Sequence, residues 1–104
     1  MNVLEAMQAM TGRFDPAKAR GVNAVVQINA NGDGGGKYAI TIKDGAATLQ
    51  ESAAEKPNVT VDVAAQDWLA ILGGEMDPTV AFMSGKLRIS GDLGLMMRFQ
   101  QIFM

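Results

Sequence analysis

Apolar and polar residues alternate in three stretches of the chain. Every second position is apolar in residues 22–30, 37–43 and 58–63. This period of two is typical of β-strands that bury one face and leave the other in water. Asn-Gly and Asp-Gly pairs follow the first two stretches and favour tight turns, because these residues adopt positive φ at low steric cost. The pattern predicts an antiparallel meander of residues 22–30, 37–43 and 46–50 with one buried and one solvated face.

Apolar residues that recur three and four positions apart predict helices before and after these strands. The first helix covers residues 2–12, and a second contains the apolar stripe 68–72. Asp77-Pro78 is typical of a capped helix start, and a fifth strand is predicted at residues 86–90. The resulting order of helix, strands, two helices, strand and helix indicates an α+β fold with the helices on the apolar face of the sheet.

The last predicted helix, residues 93–103, is apolar on almost every side. Its clearly polar positions are Arg98, Gln100 and Gln101. Leaving its Leu, Ile or Phe side chains in water would forfeit about 1.5–3 kcal/mol for each of them. The core, a ligand or a partner protein must therefore cover this helix.

Composition narrows the function classes. The 104 residues suit one domain covering 1–104, with a formal net charge of -2. The absence of His and Cys excludes serine–histidine triads, cysteine nucleophiles, Cys/His zinc sites and disulfides. The nine basic residues are dispersed, which argues against nucleic-acid binding. The sequence shows neither an apolar stretch long enough to cross a bilayer nor the pattern of a signal peptide, so we expect a cytoplasmic location.

A glycine-rich segment and a set of carboxylates could bind phosphate or act as acids and bases, but a structural role is favoured for both. The Asn31-Gly-Asp-Gly-Gly-Gly-Lys37 segment lacks the first glycine and the hydroxyl residue of a phosphate-binding loop, so it indicates a hairpin loop. Of the carboxylates near the apolar half, Asp77 and Asp92 suit helix caps, and Asp67 suits the first turn of a helix. No catalytic constellation or metal site emerges, so we expect neither an enzyme nor a cofactor.

Three basic side chains could contact an anionic lipid head group or a membrane surface. Lys86 and Arg88 share the outward face of the fifth predicted strand, where a simple solvated face is favoured. Arg98 is more open to a ligand role, because it interrupts an otherwise apolar helix.

A longer pattern resembles the sterol carrier protein type 2 (SCP2-like) family. Its most specific part runs Gly-Lys-Leu-Arg-Ile-Ser-Gly-Asp over residues 85–92 and Leu-Met-Met-Arg-Phe-Gln over residues 95–100. Asp67-Trp68, Asp77-Pro78 and Phe82 precede this block and resemble the family's acidic-aromatic pair, its Asp-Pro helix start and its following Phe. The resemblance implies a five-stranded, largely antiparallel sheet with helices on one face and an apolar tunnel between the layers. Without a Ser-Lys-Leu ending, the chain looks like a bacterial-type stand-alone member.

The candidate tunnel-lining residues combine aromatic, aliphatic and methionine side chains. Eight methionines are present, and five of them (Met76, Met83, Met96, Met97 and Met104) fall in the last third of the chain. Methionine adapts to ligands of different shape, although core packing is the simpler interpretation for each position alone. The resemblance adds Gln100, whose neutral amide could orient a polar end of the ligand. The predicted lining is Trp68, Leu72, Met76, Phe82, Met83, Leu95, Met96, Phe99, Gln100, Ile102 and Phe103.

The preferred hypothesis is non-catalytic binding, with transfer or presentation, of a fatty acid, acyl-CoA, sterol or isoprenoid-like lipid. Transient membrane contact and a partner enzyme are compatible with this hypothesis. The alternative is an interaction or homodimerisation module that uses the apolar last helix.

Overall fold

Helices and strands follow one another in the predicted order. A computed structural model describes residues 2–103, and within them it contains five strands and four helices. Their bounds are α1 (Val3–Thr11), β1 (Ala24–Asn31), β2 (Gly36–Lys43), β3 (Ala46–Gln50), β4 (Val59–Ala64), α2 (Ala65–Leu72), α3 (Pro78–Met83), β5 (Leu87–Gly91) and α4 (Leu93–Phe103).

The five strands form one sheet in the order β3-β2-β1-β4-β5. The predicted meander of β1, β2 and β3 is confirmed, and β4 pairs antiparallel with β5. Only the central pair, β1 with β4, is parallel among the described strands. The sheet is therefore mixed but largely antiparallel, as the resemblance implies.

Three strand starts lie later in the chain than the alternation predicts, and the smallest difference is in β4, which starts at Val59 instead of Asn58. The first strand starts at Ala24 instead of Val22, because the Val22 amide closes a turn by donating to the Ala19 carbonyl at 3.0 Å. The fifth strand starts at Leu87, because the Lys86 amide donates to the Ala81 carbonyl at 2.9 Å and so completes the end of α3. Val22 and Lys86 therefore belong to turns and not to the strands that follow them.

The prediction of a solvated second sheet face is wrong at its centre. Gln27, predicted to face water, is only 4% exposed, and its cross-strand neighbour Ala39 is also buried. The segment after β3 lies against Gln27, since the Ala54 amide donates to Gln27 Oε1 at 2.7 Å. Gln27 Nε2 donates in turn to Asn29 Oδ1 at 3.0 Å. These hydrogen bonds satisfy the buried amide, which would otherwise destabilise the fold.

Buried side chains fill the layer between the sheet and the helices. Trp68 on α2 is fully enclosed, and its indole Nε1–H donates to the sulfur of Met7 on α1 at 3.1 Å. The rings of Phe99 and Phe103 on α4 lie 4.8 Å apart, and Phe14 lies 5.7 Å from Phe103. Any ligand must therefore bind beside this core or displace part of it.

The described helices are all short. The longest of them, α4, has 11 residues, and no helix within residues 2–103 is long and apolar enough to cross a bilayer.

Candidate functional site

Two aspartates fix the starts of the helices that flank the site. Asp77 Oδ1 accepts hydrogen bonds from the Thr79 and Val80 amides at 2.7 and 3.3 Å, and Pro78 occupies the first turn of α3. Asp92 Oδ1 accepts from the Leu95 amide of α4 at 3.0 Å. The predicted capping roles of both aspartates are confirmed, and the two capped helices directly precede and follow β5 in the chain.

An open apolar groove of about 280 Å³ lies between α3, β5 and α4. Leu87 and Met96 are buried at its floor, whereas Phe82, Leu93 and Met97 are partly exposed along its rim. Its volume lies just below the range that is usual for small-molecule pockets, about 300–1,000 Å³. The full lining is Pro78, Thr79, Phe82, Leu87, Ile89, Leu93, Met96, Met97 and Gln100.

One end of the groove becomes more polar. Pro78, Met97 and Gln100 also border a shallower opening, which Lys18 and Gln101 complete. Gln100 is partly buried at the junction between the two spaces. The groove thus has an apolar body, a neutral amide at the junction and one ammonium group beyond it, an arrangement that suits an amphiphile.

The structure brings only part of the predicted lining together at this groove. Phe82, Met96 and Gln100 line it. Trp68, Phe99, Ile102 and Phe103 lie in the hydrophobic core. Leu95 and Met76 are partly buried against that core, and Met83 is largely exposed. Met104 lies outside the described residues.

Sequence reasoning missed several groove residues that share one face of an element. Leu93 and Met97 were missed, and their spacing of four residues places them on the same side of α4 as the predicted Gln100, which follows Met97 by three residues. Leu87 and Ile89, which alternate on β5, also line the groove and were absent from the predicted lining. The helical spacing was the available signal, but the many apolar residues of α4 concealed it.

A second apolar groove, of about 250 Å³, lies between α1 and α2. Its lining includes Leu72, which was predicted to line the tunnel, and Arg13. The remaining lining residues are Ala6, Ala9, Met10, Leu69 and Gly73.

The Arg98 side chain links α4 to the turn before β1 through two hydrogen bonds. Its Nη2 donates to the backbone carbonyl oxygens of Lys18 and Arg20 at 3.1 and 3.2 Å. These contacts give the guanidinium a structural role that the sequence did not reveal. Lys86 and Arg88, by contrast, border a shallow depression with Asn31 and Asp62, away from the apolar groove.

Replacing Arg98 should affect stability more than ligand binding. We expect Arg98→Ala to lower the free energy of unfolding by about 1–2 kcal/mol, because it removes two charge-assisted hydrogen bonds at an exposed position. Urea unfolding followed by Trp68 fluorescence measures this loss. Arg98→Lys is the control for charge, and it should recover only part of the stability. A variant with unchanged stability and lost lipid binding would assign Arg98 to a ligand head group instead.

The titratable groups give little indication of catalysis at the groove. Burial, followed by the nearby Glu51 carboxylate, raises the pKa of the Tyr38 phenol, but Tyr38 lies on β2 and does not line the groove. The polar side chains of the lining are the Thr79 hydroxyl and the Gln100 amide. Across residues 2–103 no cluster of three or more acidic side chains could hold a metal ion.

The sequence of residues 5–104 matches the model of the SCP-2 sterol transfer family. The chain belongs to this family. It is 37% identical over 71 residues to Sterol carrier protein 2 of Homo sapiens, a match that covers 65% of this chain and 13% of that protein. It is 29% identical over 101 residues to Hydroxysteroid dehydrogenase-like protein 2 of Danio rerio, covering 96% of this chain and 24% of the relative.

The chain therefore spans a quarter or less of these two relatives. The part that matches the dehydrogenase-like protein is one segment of a longer, multidomain protein. Among solved structures, the NMR structure of palmitated SCP2L2 from Aedes aegypti matches with a TM-score of 0.79 at 27% identity. That match covers 99% of this chain and 95% of the other, so the two folds agree over nearly their whole length.

Proposed function

We propose that this protein binds a lipid in the groove between α3, β5 and α4, without catalysing a reaction on it. The observation that carries the proposal is the lining itself, whose side chains are all apolar except Thr79 and Gln100. Burying an acyl chain there gains about 0.8 kcal/mol for each CH₂ group. Association costs of about 4–15 kcal/mol offset much of this gain, so only a chain of many carbons binds usefully.

A fatty acyl chain is the favoured lipid class. A flexible chain can follow an open groove that continues past Gln100, whereas a rigid ring system needs a wider space. Met96 and Met97 add adaptable walls. The similarity to a protein solved in its palmitated form supports the same class.

The test is recovery of a bound lipid. Protein purified from bacteria should show an adduct in native mass spectrometry that organic extraction removes. The extracted protein should then bind a fluorescent 16-carbon fatty acid saturably with one site. Failure of both measurements, an absent adduct and no saturable binding, would contradict the proposal.

Gln100 should orient the polar end of the ligand. We expect Gln100→Leu to weaken binding of palmitate about three- to tenfold, because the amide can no longer hydrogen-bond the head group. Competition against the fluorescent fatty acid measures this change. Gln8→Leu, the same exchange at an exposed position of α1, is the control and should bind like the wild type. Equal affinity of both variants would remove Gln100 from the site.

Presentation of the lipid to a partner enzyme is a natural extension of this function. Support comes from the longer relatives, since the dehydrogenase-like proteins contain a matching segment beside other parts of their chains. The alternative of a docking module built on α4 is less favoured. Met96, Phe99, Ile102 and Phe103 of that helix pack into the core of the same chain, which leaves few apolar side chains of α4 for a partner.

A further inference from the structure

Methionine side chains differ widely in their exposure. Met7, Met10 and Met96 are at most 3% exposed, whereas Met97 is 66% and Met83 is 80% exposed. An oxidant must reach the sulfur atom, so the oxidation of methionine to its sulfoxide follows exposure. Since the chain contains no cysteine, methionine is its only residue type that carries sulfur. Among the described residues, Met83 and Met97 are therefore the sites that a peroxide reaches most easily.

The two exposed methionines differ in their place relative to the ligand groove. Met97 lines the groove and also borders the shallower opening, together with Gln100, which follows it by three residues on α4. Met83 lines neither space, although it lies on α3, the helix that contributes Phe82 to the groove. The same oxidation thus alters the binding site at Met97 and leaves the binding site unaltered at Met83.

Hydrogen peroxide can oxidise the Met97 thioether without help from other groups. A lone pair on the sulfur attacks one peroxide oxygen, and the S–O bond forms as the O–O bond breaks. The sulfur loses two electrons, and the departing hydroxide takes the proton of the transferred oxygen through water. The products are a sulfoxide and one molecule of water. The reaction therefore needs no general acid or base in the groove, whose polar side chains are Thr79 and Gln100.

Oxidation at Met97 changes the character of the groove wall. The flexible apolar thioether becomes a polar sulfoxide, whose oxygen accepts hydrogen bonds from water. An acyl chain that lies against this side chain removes part of that water, and the groove residues Phe82 and Leu93 offer the oxygen no donor in exchange. The bound chain also covers the unoxidised sulfur. Lipid binding and oxidation of Met97 therefore oppose each other.

We propose that Met97 is a peroxide-sensitive modification site, at which oxidation to the sulfoxide lowers the affinity of the groove for lipid and bound lipid slows the oxidation. This inference rests on the proposed lipid-binding function and adds a control of occupancy to it. The modification is reversible, since methionine sulfoxide reductases restore the thioether. Met83 is the internal reference, because it is more exposed and lies outside the groove.

The first measurement locates the oxidised sulfur. Protein freed of lipid is treated with hydrogen peroxide, with and without saturating palmitate, and peptide mass spectrometry follows each methionine. Fragment ions of the peptide 89–98 distinguish Met96 from Met97. We expect Met97 and Met83 to oxidise about tenfold faster than the enclosed Met96. Palmitate should slow the oxidation of Met97 about fivefold, because it covers the sulfur, and should leave the oxidation of Met83 unchanged.

The second measurement compares fatty-acid affinity before and after peroxide. We expect oxidation to weaken binding of the fluorescent fatty acid about tenfold in the wild type and in Met83→Leu, but less than about twofold in Met97→Leu, which lacks the sulfur. Taking this ratio for each variant removes any difference in basal affinity. Met97→Gln, whose polar side chain imitates the sulfoxide, should bind as weakly as the oxidised wild type without treatment. Circular dichroism checks the fold, and if peroxide unfolds the protein, Met97→Gln supplies the comparison.

Several results would overturn the inference. They are a Met97 that stays reduced while Met96 is oxidised, an unchanged affinity after full oxidation of Met97, an equal loss of affinity in Met97→Leu, and wild-type affinity in Met97→Gln. Oxidation of Met97 at the same rate with and without palmitate would do so too, provided that the untreated protein binds palmitate. Untreated, folded protein that binds no fatty acid would instead overturn the proposed function on which the inference rests.

Discussion

Glutamate at both Phe82 and Met97 should reduce fatty-acid affinity by at least 100-fold. The two side chains lie on α3 and α4, on different walls of the same groove. An acyl chain bound between two carboxylates would strip water from both of them, and uncompensated desolvation of charge is costly. A 100-fold loss corresponds to about 2.7 kcal/mol. Titration with the fluorescent fatty acid measures this effect.

The control adds the same charge away from the groove. Gln8→Glu/Gln50→Glu introduces two carboxylates of nearly unchanged shape at exposed positions on α1 and β3. This variant should bind the fatty acid like the wild type. If the Phe82→Glu/Met97→Glu variant folds and binds with wild-type affinity, the ligand does not occupy this groove.

Phe99→Ala should remove about 3–5 kcal/mol of the free energy of unfolding. The Phe99 side chain is 0% exposed, and its ring lies 4.8 Å from that of Phe103. Truncation leaves a cavity in the layer between the sheet and the helices, and buried phenylalanines typically lose this much when replaced by alanine. Since a whole protein of this size is stable by about 5–15 kcal/mol, the loss is severe. Denaturant unfolding followed by the fluorescence of Trp68, the single tryptophan, measures it.

Phe99→Leu is the matched control, because it retains much of the apolar volume and should cost less than half as much. This comparison also distinguishes core packing from a role in the tunnel wall, which the sequence suggested for Phe99. A Phe99→Ala variant with native stability and weakened lipid binding would show that Phe99 contacts the ligand. In that case the ligand penetrates the layer that aromatic side chains now fill.

Much of the sheet was predictable from local patterns. The alternation in β1, β2 and β4 and the turn dipeptides between strands depend on neighbouring residues only. The parallel pairing of β1 with β4 was not predictable this way, because strands separated by a long connection can pair in either direction. The covering of Gln27 by residues after β3 also escaped prediction, since those residues carry no apolar pattern of their own.

The groove was less predictable than the sheet. The helix caps Asp77 and Asp92 were predicted correctly, because a cap depends only on residues in the first turn of its own helix. On α4, however, nearly every side is apolar, so periodicity does not reveal which residues face the core. Packing decides that Met96 and Phe99 turn inward while Leu93 and Met97 border open space. The predicted lining therefore combined groove residues with core residues.

The most direct test of the central claim is to locate the bound acyl chain. A fatty acid with a nitroxide spin label near its methyl end broadens the NMR signals of methyl groups close to the chain. If the groove between α3, β5 and α4 holds the ligand, the methyl signals of Ile89, Leu93 and Met97 should broaden, while those of Ala9 and Leu72 in the groove between α1 and α2 stay sharp. Broadening of Ala9 and Leu72 with sharp signals from Leu93 and Met97 would contradict the account.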